Sequence, residues 1–345
     1  MAGADATARA AGCGMSNFPR FTHLLLFPHL RVQNANAISS PLTHGFPSMT
    51  AFLGLMWALE RKARQAGIAL EFNAVAAVSH RYQELVTEGG FVKAFRLTRN
   101  PVGKDGSTAA IVEEGRIHLD LSMVFAVHAE HWDAQAQAND MEAIAQLLSG
   151  MRVAGGSVAM PDHPWQRRNQ PWVAHFTGDD EAQRKAFREV CVRLLPGSAL
   201  VARDDLIDRR LAELQTAHPD ASRLDAWLSL SRVNWHYDEE ANNGKGAWQG
   251  DRRKGSGWIV PIPVGYGALG PVHPAGSVTN ARDAETPFRF VESLYSVGEW
   301  IGPHRLRSPQ QLLWYADSKP DDGLYRCRND YRPADKDNGL DHLIP

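Results

Sequence analysis

Apolar and polar positions alternate with a period of two over residues 117–127. Ile117, Leu119, Leu121, Met123, Phe125 and Val127 interleave with His118, Asp120, Ser122 and smaller residues. That period predicts a strand with one face on a core and the other partly wet. Residues 22–31 read as a short buried strand, followed by the side-chain amides of Gln33, Asn34 and Asn36. Phe52, Met56, Leu59 and Ala63 then recur at helical spacing and predict a helix over 49–66. Ser48 stands in front of it, Gly67 behind it, and Arg61, Lys62 and Arg64 lie in its last turn. A Val- and Ala-rich strand over 72–82, a second helix over 140–149 and a glycine-kinked strand over 151–160 complete the first half.

The order is strand, helix, strand, strand, helix, strand, with a long polar excursion at 83–115 between the two middle strands. Without that excursion it is a βαββαβ, ferredoxin-like unit. The excursion is too long for a routine hairpin loop and so carries either function or disorder. After Pro161 the texture changes to Trp, Pro, Gln and Asn, which marks a boundary. Helices are predicted at 181–194, 204–217 and 222–231, and a mobile loop at 238–257. A Pro-bounded strand at 258–264 reads as an edge, and a helix is expected to start at Thr286-Pro287. The fold class is therefore α+β. Residues 1–20 are expected to be a mobile extension and 331–345 a tail, flanking a unit at 21–160 and a helical and β region at 161–330.

Composition narrows the function. The chain has 345 residues and a net charge of −2, which speaks against a free-standing, non-specific nucleic-acid binder. Contact with RNA or DNA must then come from a local patch or be shared with a partner. Three widely spaced cysteines form no CxxC and no disulfide framework, which suits a reducing, cytoplasmic setting. The apolar run at 24–27 is far too short to span a membrane. Residues 1–14 lack the apolar region of a secretory signal.

The excursion holds the densest candidate chemistry. Between Phe91 and Thr108 stand four cations, Lys93, Arg96, Arg99 and Lys104, and one anion, Asp105. Pro101, Gly103 and Gly106 bend the backbone so that donors converge. Arg, Asn, Ser and Thr are the donors that grip phosphates and base edges. Asn34, Asn36, Arg81, Arg99, Asn100, Ser107, Thr108 and Arg152 fall at strand ends and on the excursion, where they suit a splayed single strand. The plain alternative is a solvated loop whose Asn and Asp cap turns.

Other motifs are weaker. Residues 265–270 spell GxGxxG, but Pro271 and Pro274 follow where a dinucleotide fold needs a helix. His128 and His131 form HxxH with no cysteine nearby, so neither a metal nor a cofactor is expected. Gly155-Gly156-Ser157 allows close backbone approach to a ligand, or forms a bulge. His80, Tyr82 and His118 near strand ends offer a general base for metal-free RNA cleavage, though satisfied polar residues at a sheet end are commoner.

At Gln33-Asn-Ala-Asn-Ala-Ile-Ser-Ser-Pro-Leu-Thr43 and Gly45-Phe-Pro-Ser48 the chain resembles the family of second Csy subunits of type I-F CRISPR surveillance complexes. These are the Cas-five-type members of the RAMP superfamily. The resemblance continues through Leu97-Thr-Arg-Asn-Pro101, Asp105 to Arg116, Arg152-Val-Ala-Gly-Gly-Ser157, Leu194-Leu-Pro-Gly197, Val260-Pro-Ile-Pro263, Asn280-Ala-Arg-Asp283, Phe290-Val-Glu292, Gly298-Glu-Trp300 and Leu313-Trp-Tyr315. It covers roughly residues 21–328 in the same order. It implies an RRM-like domain whose thumb is the excursion at 83–115, paired with the large Csy subunit. Together they would cap the 5′ handle of the CRISPR RNA, beside a Cas-seven-type backbone subunit, with target DNA entering near the pair.

The resemblance also implies that the subunit does not catalyse, because a dedicated nuclease cuts the RNA in this system. It extends the RNA-binding set to Arg116, Gly155, Gly156 and Ser157, and the excursion's cations Arg96 and Lys104 complete it. Two other functions compete. One is a metal-independent ribonuclease using His80, Tyr82 and Lys104, since Cas-five-type relatives of the type I-C system do cut. The other is a protein adaptor that binds no nucleic acid.

Overall fold

The structure is a computed structural model. It describes residues 18–90, 92–99, 111–113, 115–163, 166–233, 235–240, 245–250, 257–281 and 283–333, with the backbone alone at 97–99 and 111–113. The fold is mixed α+β, built on one antiparallel sheet of 11 strands.

Strand β1 (His23–Asn36), helix α1 (Met49–Gln65), strands β2 (Glu71–Glu84) and β3 (Arg116–His128) and helix α2 (Ala134–Ser149) follow in order. Two short strands, β4 (Arg152–Val153) and β5 (Gly156–Ala159), close the unit. In the sheet the order is β5-β1-β3-β2, all antiparallel. The βαββαβ pattern predicts this split arrangement, in which each helix crosses over an intervening strand.

Ser48 caps α1, its Oγ accepting from Thr50 N at 3.3 Å while donating to Pro263 O at 3.2 Å. The buried stripe Phe52, Leu53, Met56, Leu59 and Ala63 lies on the odd-numbered face of β3, against Leu119, Leu121, Met123 and Phe125. The second helix starts six residues earlier than expected, at Ala134. Asp133 caps it by accepting from Gln135 N and Ala136 N, each at 2.9 Å, and Asp140 instead accepts from Trp132 Nε1 at 2.7 Å. β1 also runs on through 33–36, so the amide cluster lies within a strand.

The chain continues through β6 (Trp172–His175), α3 (Asp180–Arg193), β7 (Ser198–Ala202), α4 (Asp204–Ala217) and α5 (Arg223–Ser231). Strands β8 (Trp258–Ala268), β9 (Val291–Ile301), β10 (Trp314–Lys319) and β11 (Leu324–Asn329) follow. β7 joins β2 at Ser198↔Ser79, and the sheet runs on as β7-β9-β8-β11-β10. β10 returns to β2 at Trp314↔Val75, so these strands close into a ring. Trp314 Nε1 donates to Leu200 O at 2.8 Å across it. Both halves of the chain thus share one sheet through β2. Around Arg203, a bidentate pair with Asp205 at 2.8 and 2.9 Å and a bond to buried Glu299 tie α4 to β9.

Three expectations are corrected here. No helix begins at Thr286-Pro287. Asp283 Oδ1 instead accepts from Glu285 N and Thr286 N, and Phe288 bridges His273 on the way into β9. β8 is not simply an edge, because β9 and β11 flank it. Only Gly265–Gly267 pairs with β11, so Pro261 and Pro263 occupy the half whose second edge is open. The loop expected at 238–257 begins inside a ribbon of Trp235–Asp238 and Ala247–Gly250. The GxGxxG segment ends β8 in a bulge at Gly265, where an added Cβ would meet Tyr325 O.

Among the described residues no helix is long and apolar enough to cross a membrane. At the start of β1, buried His23 packs edge-on to His175 and Trp132. Burial, then the rings of His175 and His128, push its pKa down to about 4. A histidine held neutral in the fold but free to protonate when unfolded stabilises above pH 6.5, and that contribution is lost as pH falls toward 4. Thermal melts should show the wild type losing up to roughly 3 kcal/mol over that window. His23→Phe should flatten that part of the profile, and parallel profiles would remove His23 from the acid response.

Candidate nucleic-acid interface

The second face of the sheet is divided. Leu24 and Leu26 of β1, Ala74, Ala76 and Val78 of β2, and Val124 and Ala126 of β3 are covered by Phe187, Val190, Cys191 and Leu194 of α3 and its end, with β6 alongside. Beyond Ser122 the same face of β3 turns polar, presenting Asp120, His118 and Arg116. Directly paired residues project to the same side. The register therefore builds a row Arg81–Asp120–Arg31, a row Gln83–His118, and the pairs Gln33–Ser157 and Asn36–Arg116. Arg152 pairs with Ser157 at the edge. Strand spacing sets Arg81 and Arg31 about 10 Å apart across Asp120.

A polar seam separates the two halves. His29 bulges out of β1 at φ 52° and lies stacked on His80, with ring centroids 4.1 Å apart. Its N–H donates to Ser122 Oγ at 3.2 Å, and its Nδ1 donates to Asp120 at 3.0 Å. His80 donates from Nδ1 to Pro196 O at 2.6 Å and accepts from Ser122 Oγ at Nε2 at 2.7 Å. Burial, and then the His29 ring, lower the His80 pKa against the hydrogen bond to Pro196. Burial works to raise the Asp120 pKa, but the bond from His29 and the electrostatic pull of His29 and Arg81 hold it below the usual range. The seam thus combines a neutral ring with an anion. Both His80 nitrogens are occupied, so in this arrangement neither is free to act as a general base.

Of the expected site residues, Asn34, Asn36, Arg81, Arg116, Arg152, Gly155 and Ser157 come together on or beside this polar half. Asn34 sits in a bulge at φ 58°, and its carbonyl accepts from Arg116 Nη1 at 3.4 Å. The Asn36 amide is turned onto Ile38, accepting from its N and donating to its O. Ala154 and Gly155, at φ 48° and 77°, form the tight turn between β4 and β5. Gly156 serves the chain itself: an added Cβ would lie 2.6 Å from Ala35 N.

Arg96 is exposed at the end of a ribbon of Val86–Gly89 and Val92–Phe95, in which Lys93 pairs with Glu88 at 2.8 Å. Arg99 lies in a second ribbon of Leu97–Arg99 and Ile111–Glu113, described by its backbone alone. Asn100, Lys104, Ser107 and Thr108 lie outside the described residues, as does most of the excursion between them.

Sequence reasoning missed Arg31, Gln33 and Gln83 as members of this face. Arg31 pairs with Asp162 at 2.5 Å. The signal was the period-two pattern of β3, which puts Arg116, His118 and Asp120 on one side. It needed only the cross-strand register to extend to β1 and β2. Among the described residues no group of three metal-ligating side chains is assembled.

An antiparallel α+β protein with half of one sheet face left polar and arginine-bearing is a class suited to holding an extended ligand. A family model described as CRISPR-associated protein Csy2 matches residues 25–327. CRISPR-associated protein Csy2 of Pseudomonas aeruginosa (strain UCBPP-PA14) is 46% identical over 316 residues, covering 88% of this chain and 94% of that protein. The chain belongs to the Csy2 family of the type I-F CRISPR system.

Two substitutions test the geometry. Ser122→Ala strips His29 N–H and His80 Nε2 of a partner inside the seam and should cost about 1–3 kcal/mol in denaturant melts. A loss within error would mean that water replaces the hydroxyl freely. Gly156→Ala should destabilise by about 1–3 kcal/mol, because the obstacle is backbone. Gly155→Ala, where an added Cβ meets nothing within 4 Å, should cost less, about 1 kcal/mol from its positive φ alone. The reverse order in calorimetry would show that the β5 contact relaxes.

Proposed function

We propose that this chain is a non-catalytic subunit of the type I-F surveillance complex that binds the 5′ handle of the CRISPR RNA. It does so with the large Csy subunit as its heterodimer partner, next to a Cas-seven-type backbone subunit. The observation that carries this reading is the divided sheet face. One half is sealed by α3, while the other keeps Arg31, Arg81, Arg116 and Arg152 with amides and hydroxyls between them. Such a surface grips phosphates and base edges of an unpaired strand. The β5-β1-β3-β2 order supports a RAMP-type unit at 21–160, with the excursion at 83–115 as its thumb and 161–330 as a C-terminal region. The thumb would fold over the guide and help to part handle from spacer. Family membership supports assembly within the complex, in which target DNA is engaged.

The non-catalytic reading is supported by the seam, where His80 is committed on both nitrogens. The near-neutral net charge fits a subunit whose affinity is shared across an assembly through one local cationic face.

Labelled repeat–spacer–handle RNA is mixed with the purified chain in EDTA, with and without the large Csy subunit. Gel mobility and fragment length are read on the same samples. A handle-dependent shift that needs the partner, with intact RNA, is expected. Specific fragments with this chain alone would favour the ribonuclease. No shift in either mixture would favour the protein adaptor.

Arg81→Ala and Arg116→Ala should each weaken the shift by about 1–3 kcal/mol. A phosphate contact would also lower the salt slope by about 1 and act alike on all sequences. Arg99→Ala should behave similarly if the thumb contacts RNA. Unchanged affinity and slope in all three would remove this face from the RNA path.

A further inference from the structure

β2 ends on a strand that does two things at once. From Arg81 to Glu84 its residues alternate, Arg81 and Gln83 facing the polar half of the sheet and Tyr82 and Glu84 the opposite side. On that opposite side lies a cavity of about 310 Å3. Tyr82 and Trp258 border it, 60% and 57% exposed, and Trp300, paired with Trp258 across β8 and β9, forms part of its wall. Glu84 and His44 supply its polar end, with Glu84 Oε1 3.7 Å from His44 Nδ1. Among the described residues, β2 has no partner on its second edge beyond Ser79.

We propose that this cavity seats one unpaired nucleobase carrying an exocyclic amine, flipped from the strand held on the polar face. The inference rests on the RNA-binding reading above and names a subsite of it. Three observations carry it. Its volume suits a single planar ring system and excludes a helix or a duplex. Large aromatic rings left this exposed are a stacking platform, and each stacked base gains from it whatever its identity. The carboxylate of Glu84 is the wrong group for a phosphate and the right one for an amine, because ionised it only accepts hydrogen bonds. Phosphates therefore stay with the arginines, while one base passes round the open edge of β2 and turns its amine to Glu84. A base without an amine offers that carboxylate only a ring N–H, as uracil does at N3, and so makes the poorer partner.

The probe is a handle RNA in which each nucleotide is replaced in turn by an abasic site, titrated against the chain with the large Csy subunit. Trp258→Ala should weaken intact RNA about tenfold, as loss of one stacked base does. The abasic site at one position should weaken the wild type equally and Trp258→Ala no further. Trp258→Phe keeps a ring and should retain most of the affinity, with melting curves confirming that each variant folds. Glu84→Gln, whose amide both donates and accepts, should lose the preference for an amine-bearing base over uracil at that position alone.

Wild-type affinity in Trp258→Ala, or a loss that adds in full to every abasic site, overturns the subsite. If the wild-type complex binds no handle RNA, the RNA-binding reading fails first. If it binds through Arg81 and Arg116 and ignores Trp258, the subsite alone fails.

Discussion

The structure depends on where one sheet face stops being apolar. Val124 and Ala126 of β3 are sealed under α3, whereas two and four residues earlier the same side carries Ser122 and Asp120. A polar group at such a boundary costs free energy unless it is bonded on every side. Ser122 is fully buried and meets that condition through the backbone of His29 and the ring of His80. His80 in turn reaches Pro196, just before β7, so the seam also tethers the second half of the chain to the first. The bulge that turns out His29 and the one at His80 let two strands contribute a ring at the same height. α3 is stopped locally by Pro196 and Gly197 just past its end, and the seam gives the open half its edge.

Much of the fold was legible because its signals are local. The alternation of Ile117 to Val127, the cap at Ser48 and the stripe Phe52–Met56–Leu59–Ala63 each follow from a period and a stop. The order of four strands then follows from the pattern of elements, since few arrangements satisfy it. The failures were places where a local signal competed with a distant one. Thr286-Pro287 has the residues of a helix start, but Asp283 folds the turn back and Phe288 finds His273. Asp133 outcompetes later residues as a cap because its carboxylate takes two backbone donors at once. The prolines of β8 signal an edge correctly for half of the strand, and the glycines that follow admit β11.

The candidate site was legible by residue type and less so by placement. Asn34, Arg81 and Arg152 follow from loop and strand-end chemistry and Arg116 from the resemblance, and pairing brings them to one area. Arg31, Gln33 and Gln83 were hidden because nothing in their neighbours marks them. Their face is set by register, which is a property of two strands. Gly156 was legible as a position needing closeness, but the close partner is Ala35 of this chain. His80 looked like a candidate base because it stands near Tyr82 and a strand end. Only the distance to Pro196 across the fold shows that its protons are already assigned.

Period-two alternation explains how so nearly neutral a chain can carry a locally cationic surface. At the end of β2, one residue in two faces the arginine-bearing half and the next faces an aromatic cleft. In the proposed function the first set would attract a polyanion at long range, and the second set, uncharged except for Glu84, would discriminate at contact. Separating attraction from discrimination on opposite sides of one strand keeps the carboxylate out of the path of the phosphates. The same residues on one side would cancel each other, as Lys93 and Glu88 do across their ribbon. On the proposed reading, the strand's pleat is the device that would allow an anion and a cation cluster to serve the same ligand.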